Sequence, residues 1–221
     1  PSELPVDIYV CRALTRMLVR PLLCLFVMAA LSAKALTKEI FIVRHAESMT
    51  NRRQRQLAAI FTGRLFPSFG VVRDVAALAL LPMDGALSPA GLAQVAAQRK
   101  VLDARRFAAS HRVQLVVHSH YARARDTARG LFEGALDEHG AAVRLIAHAE
   151  LYEQGKYERV FPSALSKRTA GFTQWLLDQP QERIVVVGHS LFFEAATGVH
   201  LGNCAVWRAN LGADAVYRDL E

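Results

Sequence analysis

Three apolar runs stop abruptly in the same kind of place. Ile40-Phe41-Ile42-Val43 gives way to Arg44-His45-Ala46-Glu47-Ser48. Leu115-Val116-Val117 gives way to His118-Ser119, with Arg123 close behind. Ile184-Val185-Val186-Val187 gives way to Gly188-His189-Ser190. Each run is short and rich in β-branched residues, and each ends in residues able to do chemistry. Strands that are apolar without alternation belong to a parallel sheet covered on both faces. In such sheets ligands bind beyond the carboxyl ends of the strands. Three neighbouring strands would therefore bring His45, His189, Arg44 and Arg123 to one rim. That set suits a nucleophile that attacks phosphate.

The rest of the chain alternates with these runs. A long excursion, residues 49–83, follows the first strand and is too long for a plain connector, which predicts a helix-and-loop cap. Ser88 has the character of a helix N-cap, with Pro89 at the first helical position, and the helix is expected to run to about Phe107. Strands are expected at Val113–Val117, Val143–Ala147 and Ile184–Val187, with a short edge strand at Ala215–Tyr217. Helices are expected at Ala122–Phe132 and Ser166–Leu177, with another beginning at Leu191. The alternation predicts an α/β fold: a three-layer α/β/α sandwich with a mostly parallel central sheet and a cap insertion after strand one.

Length and charge narrow the function. A chain of 221 residues holds one such domain and a leader. The formal charge of +7 fits an anionic substrate, since arginine recurs at strand ends. No lysine/arginine block with interleaved aromatics occurs, which argues against nucleic acid as a partner. The first 35 residues read differently. Arg16 and Arg20 precede the apolar run Leu22–Ser32, and Ala33-Lys34-Ala35 resembles a small-residue cleavage site. This predicts a secretory signal, with Met17 as candidate start and an extracytoplasmic mature chain; a membrane-anchored or cytoplasmic chain is the alternative. The run is short for a membrane span. Removing residues 1–35 lowers the net charge from +7 to +5. Cys11 and Cys24 lie in this leader, so the remainder keeps Cys204 alone and forms no internal disulfide. Cys204 is read as a small buried residue.

A phosphoryl transfer onto the protein needs a nucleophile, cationic donors for the nonbridging oxygens, and an acid for the leaving oxygen. A neutral imidazole can attack phosphorus, and His45 stands where it could do so. Arg44 and Arg123 offer planar, permanently charged forks for phosphate oxygens. Neighbouring arginines also keep an imidazole neutral.

Four segments now carry a resemblance. Arg44-His45-Ala46-Glu47-Ser48 with Asn51, Leu87-Ser88-Pro89-Ala90-Gly91-Leu92-Ala93-Gln94, Ser119-His120-Tyr121-Ala122-Arg123-Ala124-Arg125-Asp126-Thr127-Ala128 and Val187-Gly188-His189-Ser190 resemble, in family order, the signatures of the histidine phosphatase superfamily, the phosphoglycerate mutase-like proteins. The resemblance spans roughly residues 39–205 and makes residues 36–221 a catalytic domain of that kind. It implies a phosphomonoester hydrolase that works through a phosphohistidine on a small phosphorylated substrate, without cofactor or metal. His45 becomes the phosphohistidine. Arg44, Arg123 and His189 complete the phosphate pocket, and Asn51 touches the substrate phosphate. Glu153, in Leu151-Tyr152-Glu153, fits the family's acid best; Glu150 is the alternative. Ala46 stands where the family usually has glycine, and His120 where it usually has proline. A mutase-type phosphotransferase and a non-catalytic phosphoryl-binding domain are the alternative functions.

Two rival readings are weaker. Gly188-His189-Ser190-Leu191 also resembles the nucleophile elbow of α/β-hydrolases, but Phe192 stands where that turn needs glycine, and the required acid-then-histidine order is missing downstream. His118-Ser119-His120 could place two rings on one strand face as metal ligands, but no neighbouring carboxylate or cysteine completes a set.

Overall fold

The structure is a computed structural model that describes residues 37–62 and 84–221. The leader reading therefore lies outside the described residues, as do residues 63–83 of the excursion.

Lys38–Arg44 forms β1 and Met49–Phe61 forms α1. Then follow α2 (Pro89–Ala104), α3 (Phe107–Ser110), β2 (Leu115–Ser119), α4 (Ala122–Phe132) and β3 (Arg144–His148). A 3₁₀ turn at Ala149–Leu151 leads to α5 (Lys156–Val160), α6 (Pro162–Asp178), β4 (Arg183–Gly188), α7 (Ser190–Thr197), β5 (Val206–Leu211) and β6 (Tyr217–Arg218). The strands make one six-stranded sheet in the order β3-β2-β4-β1-β5-β6. The first four strands in that order are mutually parallel, while β5 runs antiparallel to β1 and β6 antiparallel to β5. The fold is mixed α/β, as expected. Among the described residues no helix is long and apolar enough to cross a membrane.

The pleat of β1 explains how the sheet is covered. Phe41 and Val43 enter one core with Val95 and Leu102 of α2, Phe107 of α3, and Leu131 and Phe132 of α4. Ile40 and Ile42 enter a second core with Leu165, Phe172 and Leu176 of α6 and Phe192 and Phe193 of α7. Successive side chains of one strand point to opposite faces, so a run without polar residues can be stable only if helices cover both. Helices α2, α4, α6 and α7 are ones the alternation predicted; α3 is not, because α2 was expected to run to about Phe107 and ends at Ala104.

Several boundaries differ from expectation. β2 and β3 each sit one or two residues later than predicted, because parallel pairing carries the ladder to Ser119↔His148. Strand β5, Val-Trp-Arg-Ala-Asn-Leu, was not anticipated. Its polar residues interrupt the apolar pattern, and its antiparallel pairing beside the exposed end of the sheet tolerates that. β6 is displaced to Tyr217–Arg218.

Register positions the chemistry. Arg44 pairs with Gly188, and His118 with Val187. His45 and His189 each follow a registered residue, so the two rings leave adjacent parallel strands at the same level. Their centroids lie 5.0 Å apart.

Candidate active site

The first and second motifs are joined before either meets a substrate. Ser48 caps α1, its hydroxyl accepting the Asn51 N–H at 3.2 Å, while Asn51 Oδ1 accepts from the Ser48 N–H at 3.3 Å. This reciprocal cap fixes the start of α1. Ser48 and Leu87 form an isolated antiparallel bridge, with Met49 N donating to Ala86 O and Ser88 N to Glu47 O, both at 2.9 Å. Ser88 Oγ donates to Glu47 Oε1 at 2.6 Å and accepts from Gly91 N at 3.0 Å. Gln94 Oε1 accepts from Glu47 N at 2.9 Å. Glu47 also pairs with Arg55. The buried glutamate of the first motif thus holds the β1–α1 turn against α2 and does not enter the cleft.

Gly91 is required by this junction. A Cβ there would lie 2.0 Å from Glu47 O, a backbone atom that cannot swing away. Gly91→Ala is expected to destabilise the fold by about 1–3 kcal/mol or more. Gly202→Ala, with nothing within 4 Å of its Cβ, is expected to stay within about 0.5 kcal/mol of wild type. Urea midpoints compare the two, and equal midpoints would refute the packing argument.

His45 is 1% exposed. Its Nδ1 lies 2.7 Å from Ala46 O, so Nδ1 carries the proton and donates, which leaves the lone pair on Nε2. Arg123 Nε donates to that Nε2 at 3.2 Å. Burial first, then Arg123 and Arg44, lower the His45 pKa to about 3, against the opposing bond to Ala46 O. The ring is therefore neutral at physiological pH, as a nucleophile needs. The third motif supports this from behind: Ala46 N donates to Thr127 Oγ1 at 3.0 Å, and Thr127 Oγ1 donates to Arg123 O at 2.7 Å. The methyl of Ala46 is fully buried, and its N–H is committed to Thr127.

His189 is also fully buried. Its Nε2 lies 3.0 Å from Ser119 Oγ, which accepts from Tyr121 N at 3.3 Å. The serine hydroxyl proton is then available to His189 Nε2, which assigns the ring proton to Nδ1. That nitrogen is buried without a hydrogen-bond partner and sits 3.8 Å from Glu153 Oε2. Burial, then His45 and Arg123, push the His189 pKa well below its ordinary value. The contact with Glu153 is thus no ion pair at neutral pH; it leaves a donor waiting for an oxygen.

Glu153 completes the set. Its carboxylate and the nearest ring nitrogens of His45 and His189 all lie within 4.8 Å of one another. Burial raises its pKa, outweighing the bond from Gln154 N, the charges of Arg123 and Arg44, and the Leu191 N–H. A carboxyl that tends to keep its proton suits a general acid. Glu150 is exposed on the 3₁₀ turn, its Oε2 beside Gly171 of α6, and does not line the cleft. Three ligand atoms this close could in principle hold a metal, but Arg123 donates to one of them and Arg44 is near, so a cation would meet two guanidiniums.

The cleft encloses about 200 Å³ and is lined by Arg44, Asn51, Arg123 and Glu153, with Arg159 and Ser190 also on its wall. Arg44 Nη1 donates to Leu201 O at 2.7 Å, while its buried Nε has no hydrogen-bond partner. Arg123 Nη1 lies 3.9 Å from Asp84 Oδ1, and its guanidinium sits 4.9 Å from the Tyr121 ring centre. Of the predicted site residues, Arg44, Asn51, Arg123 and Glu153 line this cleft, His45 and His189 are buried beside Glu153, and Glu150 does not line it.

Sequence reasoning missed the loop that fastens the end of β1. Leu201 O accepts from Arg44, Asn203 Nδ2 donates to His45 O at 2.9 Å, and Cys204 N donates to Arg44 O at 3.1 Å. The three acceptors are backbone carbonyls, and the loop's own donors are one backbone N–H and the Asn203 side-chain amide, which leave no pattern in a sequence. Cys204 itself is buried, and burial raises its thiol to about 11, so it is no nucleophile. Asp84 was missed too; it accepts from Ala122 N at 2.9 Å at the start of α4.

Both rival readings lose their geometry. Ser190 Oγ lies 3.2 Å from His200 Nδ1, and Glu194 Oε2 lies 3.0 Å from the same nitrogen. A serine relay needs the acid and the serine on opposite ring nitrogens. β2 ends at Ser119, so strand alternation does not carry to His120. That ring packs on Tyr121 and Tyr152, while His118 bonds to Ser119 O.

No protein-family profile matches this sequence. No curated protein sequence is similar to it. Its structure does match solved ones. A phosphoglycerate mutase from Bacillus anthracis superposes with a TM-score of 0.53 at 14% identity, over 84% of this chain and 92% of that one. The ecdysone phosphate phosphatase from Bombix mori, in complex with tungstate, superposes with a TM-score of 0.50 at 13% identity, over 83% and 92%. The chain has the phosphoglycerate mutase-like α/β fold.

A thermodynamic consequence of the two buried rings can be measured without any substrate. The folded His45 pKa of about 3 lies below the ordinary 6.5, so between those values the unfolded chain binds more protons. Its contribution to stability is full above about pH 6.5 and is lost as pH falls toward 3. His189 acts in the same direction. The urea midpoint is expected to fall through this window, and less steeply in His45→Ala. Parallel profiles in the two proteins would show that His45 is not held neutral.

Proposed function

We propose that this chain belongs to the histidine phosphatase superfamily and hydrolyses phosphomonoesters of small molecules through a phosphohistidine on His45. The observation that carries this reading is the neutral, Nδ1-protonated His45, whose Nε2 accepts from Arg123 and whose ring lies with His189 and Glu153 in one cluster, directly behind a cleft lined by Arg44, Arg123 and Glu153. His45 Nε2 attacks phosphorus as the ester oxygen departs. Arg44, Arg123 and the His189 Nδ1–H hold the nonbridging oxygens, where negative charge gathers. Asn51, with its Oδ1 engaged in the helix cap, has its amide N–H groups to offer the phosphate. Glu153 gives its proton to the leaving oxygen, then takes one from the water that hydrolyses the phosphohistidine. The leader reading adds that this happens outside the cytoplasm, which export and N-terminal sequencing of the mature chain would test.

Purified protein offered alkyl and aryl phosphates is expected to release inorganic phosphate and, on rapid quench, to carry an acid-labile phosphoryl group. Transfer of that group to a second phosphorylated acceptor in preference to water would make the protein a mutase. Binding of phosphate with neither turnover nor adduct would make it a binding domain.

Glu153 fixes the pH dependence. Because it acts protonated, and burial raises its pKa, kcat/KM is expected to fall as pH rises through that value. Glu153→Gln is expected to remove this basic limb and to slow alkyl esters far more than 4-nitrophenyl phosphate, whose leaving oxygen needs little protonation. Glu150→Gln is expected to do neither. If Glu150→Gln alone shows the leaving-group defect, the role passes to Glu150.

A further inference from the structure

We propose that Arg168, with Glu158, is the positioning residue for Glu153, holding the acid's backbone at fixed depth in the cleft. This rests on the reading of Glu153 as general acid.

Arg168 lies on α6 and reaches across to the segment that carries the acid. Its Nε and Nη2 donate to Glu158 Oε1 and Oε2 at 2.6 and 2.7 Å, a bidentate pair with side chains only 8% and 6% exposed. Its Nη1 donates to two backbone carbonyls, Glu150 O at 2.5 Å and Tyr152 O at 2.8 Å. Glu158 Oε2 in turn accepts from Gly155 N at 2.9 Å. Glu153 is thus flanked by anchored peptide groups, at Tyr152 before it and Gly155 after it, and one guanidinium–carboxylate unit holds both. The guanidinium also stacks 3.7 Å from the Tyr152 ring centre and 5.0 Å from that of Phe192 on α7. That helix supplies the Leu191 N–H to the Glu153 carboxylate and follows directly on His189. One side chain therefore fixes the acid's segment relative to the helix beside it.

A buried ion pair is a poor source of net stability, since desolvation cancels most of the attraction. What this pair supplies is geometry. Lysine could keep the charge but has no planar fork to hold a carboxylate and two carbonyls together. The Glu158 carboxyl is held below its ordinary range, chiefly by the bond from Arg168, which favours the ionised anchor, while burial shifts Glu153 toward its protonated form. The two carboxyls, five residues apart, are driven in opposite directions by their surroundings, which is how one segment holds a fixed ion and a working acid.

The test compares kcat and KM on an alkyl phosphate and on 4-nitrophenyl phosphate for wild type, Arg168→Met, Glu153→Gln and the double variant, with urea midpoints for each. Arg168→Met is expected to lower kcat on the alkyl ester by about 10–100-fold, as a misplaced catalytic group does, with KM and the aryl rate within about threefold. In the Glu153→Gln background it is expected to add little, because both changes remove the same step. Equal losses on the two esters, or a full further loss in the double variant, would overturn the proposal and leave Arg168 a plain structural residue. The Glu153→Gln single variant reports on the acid itself: without a leaving-group defect there, the acid assignment fails and this proposal with it. Should Arg168→Met not fold, Glu158→Gln, which keeps the shape but weakens the fork, is expected to show the same leaving-group pattern at smaller amplitude; no such pattern overturns the proposal equally.

Discussion

A His45→Ala chain is expected to fold and to hydrolyse phosphomonoesters at least about 10²–10⁴-fold more slowly than wild type, the loss that removal of general acid–base help alone brings. Losing the nucleophile costs more, because neither Arg123 nor His189 can take its place: one is a permanent cation and the other carries its ring proton on the nitrogen beside Glu153. The adduct seen on rapid quench is expected to vanish with it. The backbone bonds of the residue, His45 N to Gly188 O and Asn203 Nδ2 to His45 O, remain when the ring is removed, and outside the cleft the ring's own hydrogen bond is the one from Nδ1 to Ala46 O. Circular dichroism and the urea midpoint check this. A mutant within about threefold of wild-type kcat/KM would remove His45 from the mechanism.

What was legible in the sequence followed one rule. A residue could be read where its role leaves a local pattern. The apolar runs of β1, β2 and β4 are visible because burial on both faces permits no polar residue, and register then places whatever follows them. His45 and His189 were found for that reason, and Arg123 because it lies in the first turn of a helix just past the second junction. Ser88 and Pro89 were legible as a helix start, but not what that start is for: the bonds of Ser88 and Gln94 to Glu47 join residues 41 and 47 positions apart. β5 was invisible because its Arg208 and Asn210 face outward on the antiparallel side of the sheet. The choice between Glu153 and Glu150 could not be made from spacing. A 3₁₀ turn at Ala149–Leu151 sends the two carboxylates in different directions, and nothing in Leu-Tyr-Glu announces such a turn. Arg168 was missed because it acts on carbonyls from a helix 15 residues beyond the acid, where it looks like any surface arginine.

Arg123 is expected to be the costliest cation to remove. Its Nε already donates to the nucleophile's lone pair, so a phosphate that displaces this bond arrives with a donor in place for a nonbridging oxygen. Arg44 is tethered through Nη1 to Leu201 O and offers its buried Nε and remaining Nη2. By analogy with loss of one oxyanion donor, Arg123→Ala and Arg44→Ala are each expected to lose about 2.7–4 kcal/mol of transition-state binding, or 10²–10³-fold in kcat/KM. The two separate in their effect on the resting site. Arg123 is the first charge that holds His45 neutral after burial itself, ahead of Arg44. Arg123→Ala is therefore expected to raise the His45 pKa, detectable by NMR titration of the ring, more than Arg44→Ala does. Arg123→Lys keeps that charge but loses the fork, so it is expected to restore the neutral ring without restoring the rate. Retention of kcat/KM within about threefold, under 1 kcal/mol, in either alanine variant would place that arginine outside the phosphate pocket; a lysine variant at full rate would mean that charge alone, and not the planar donor geometry, does the work.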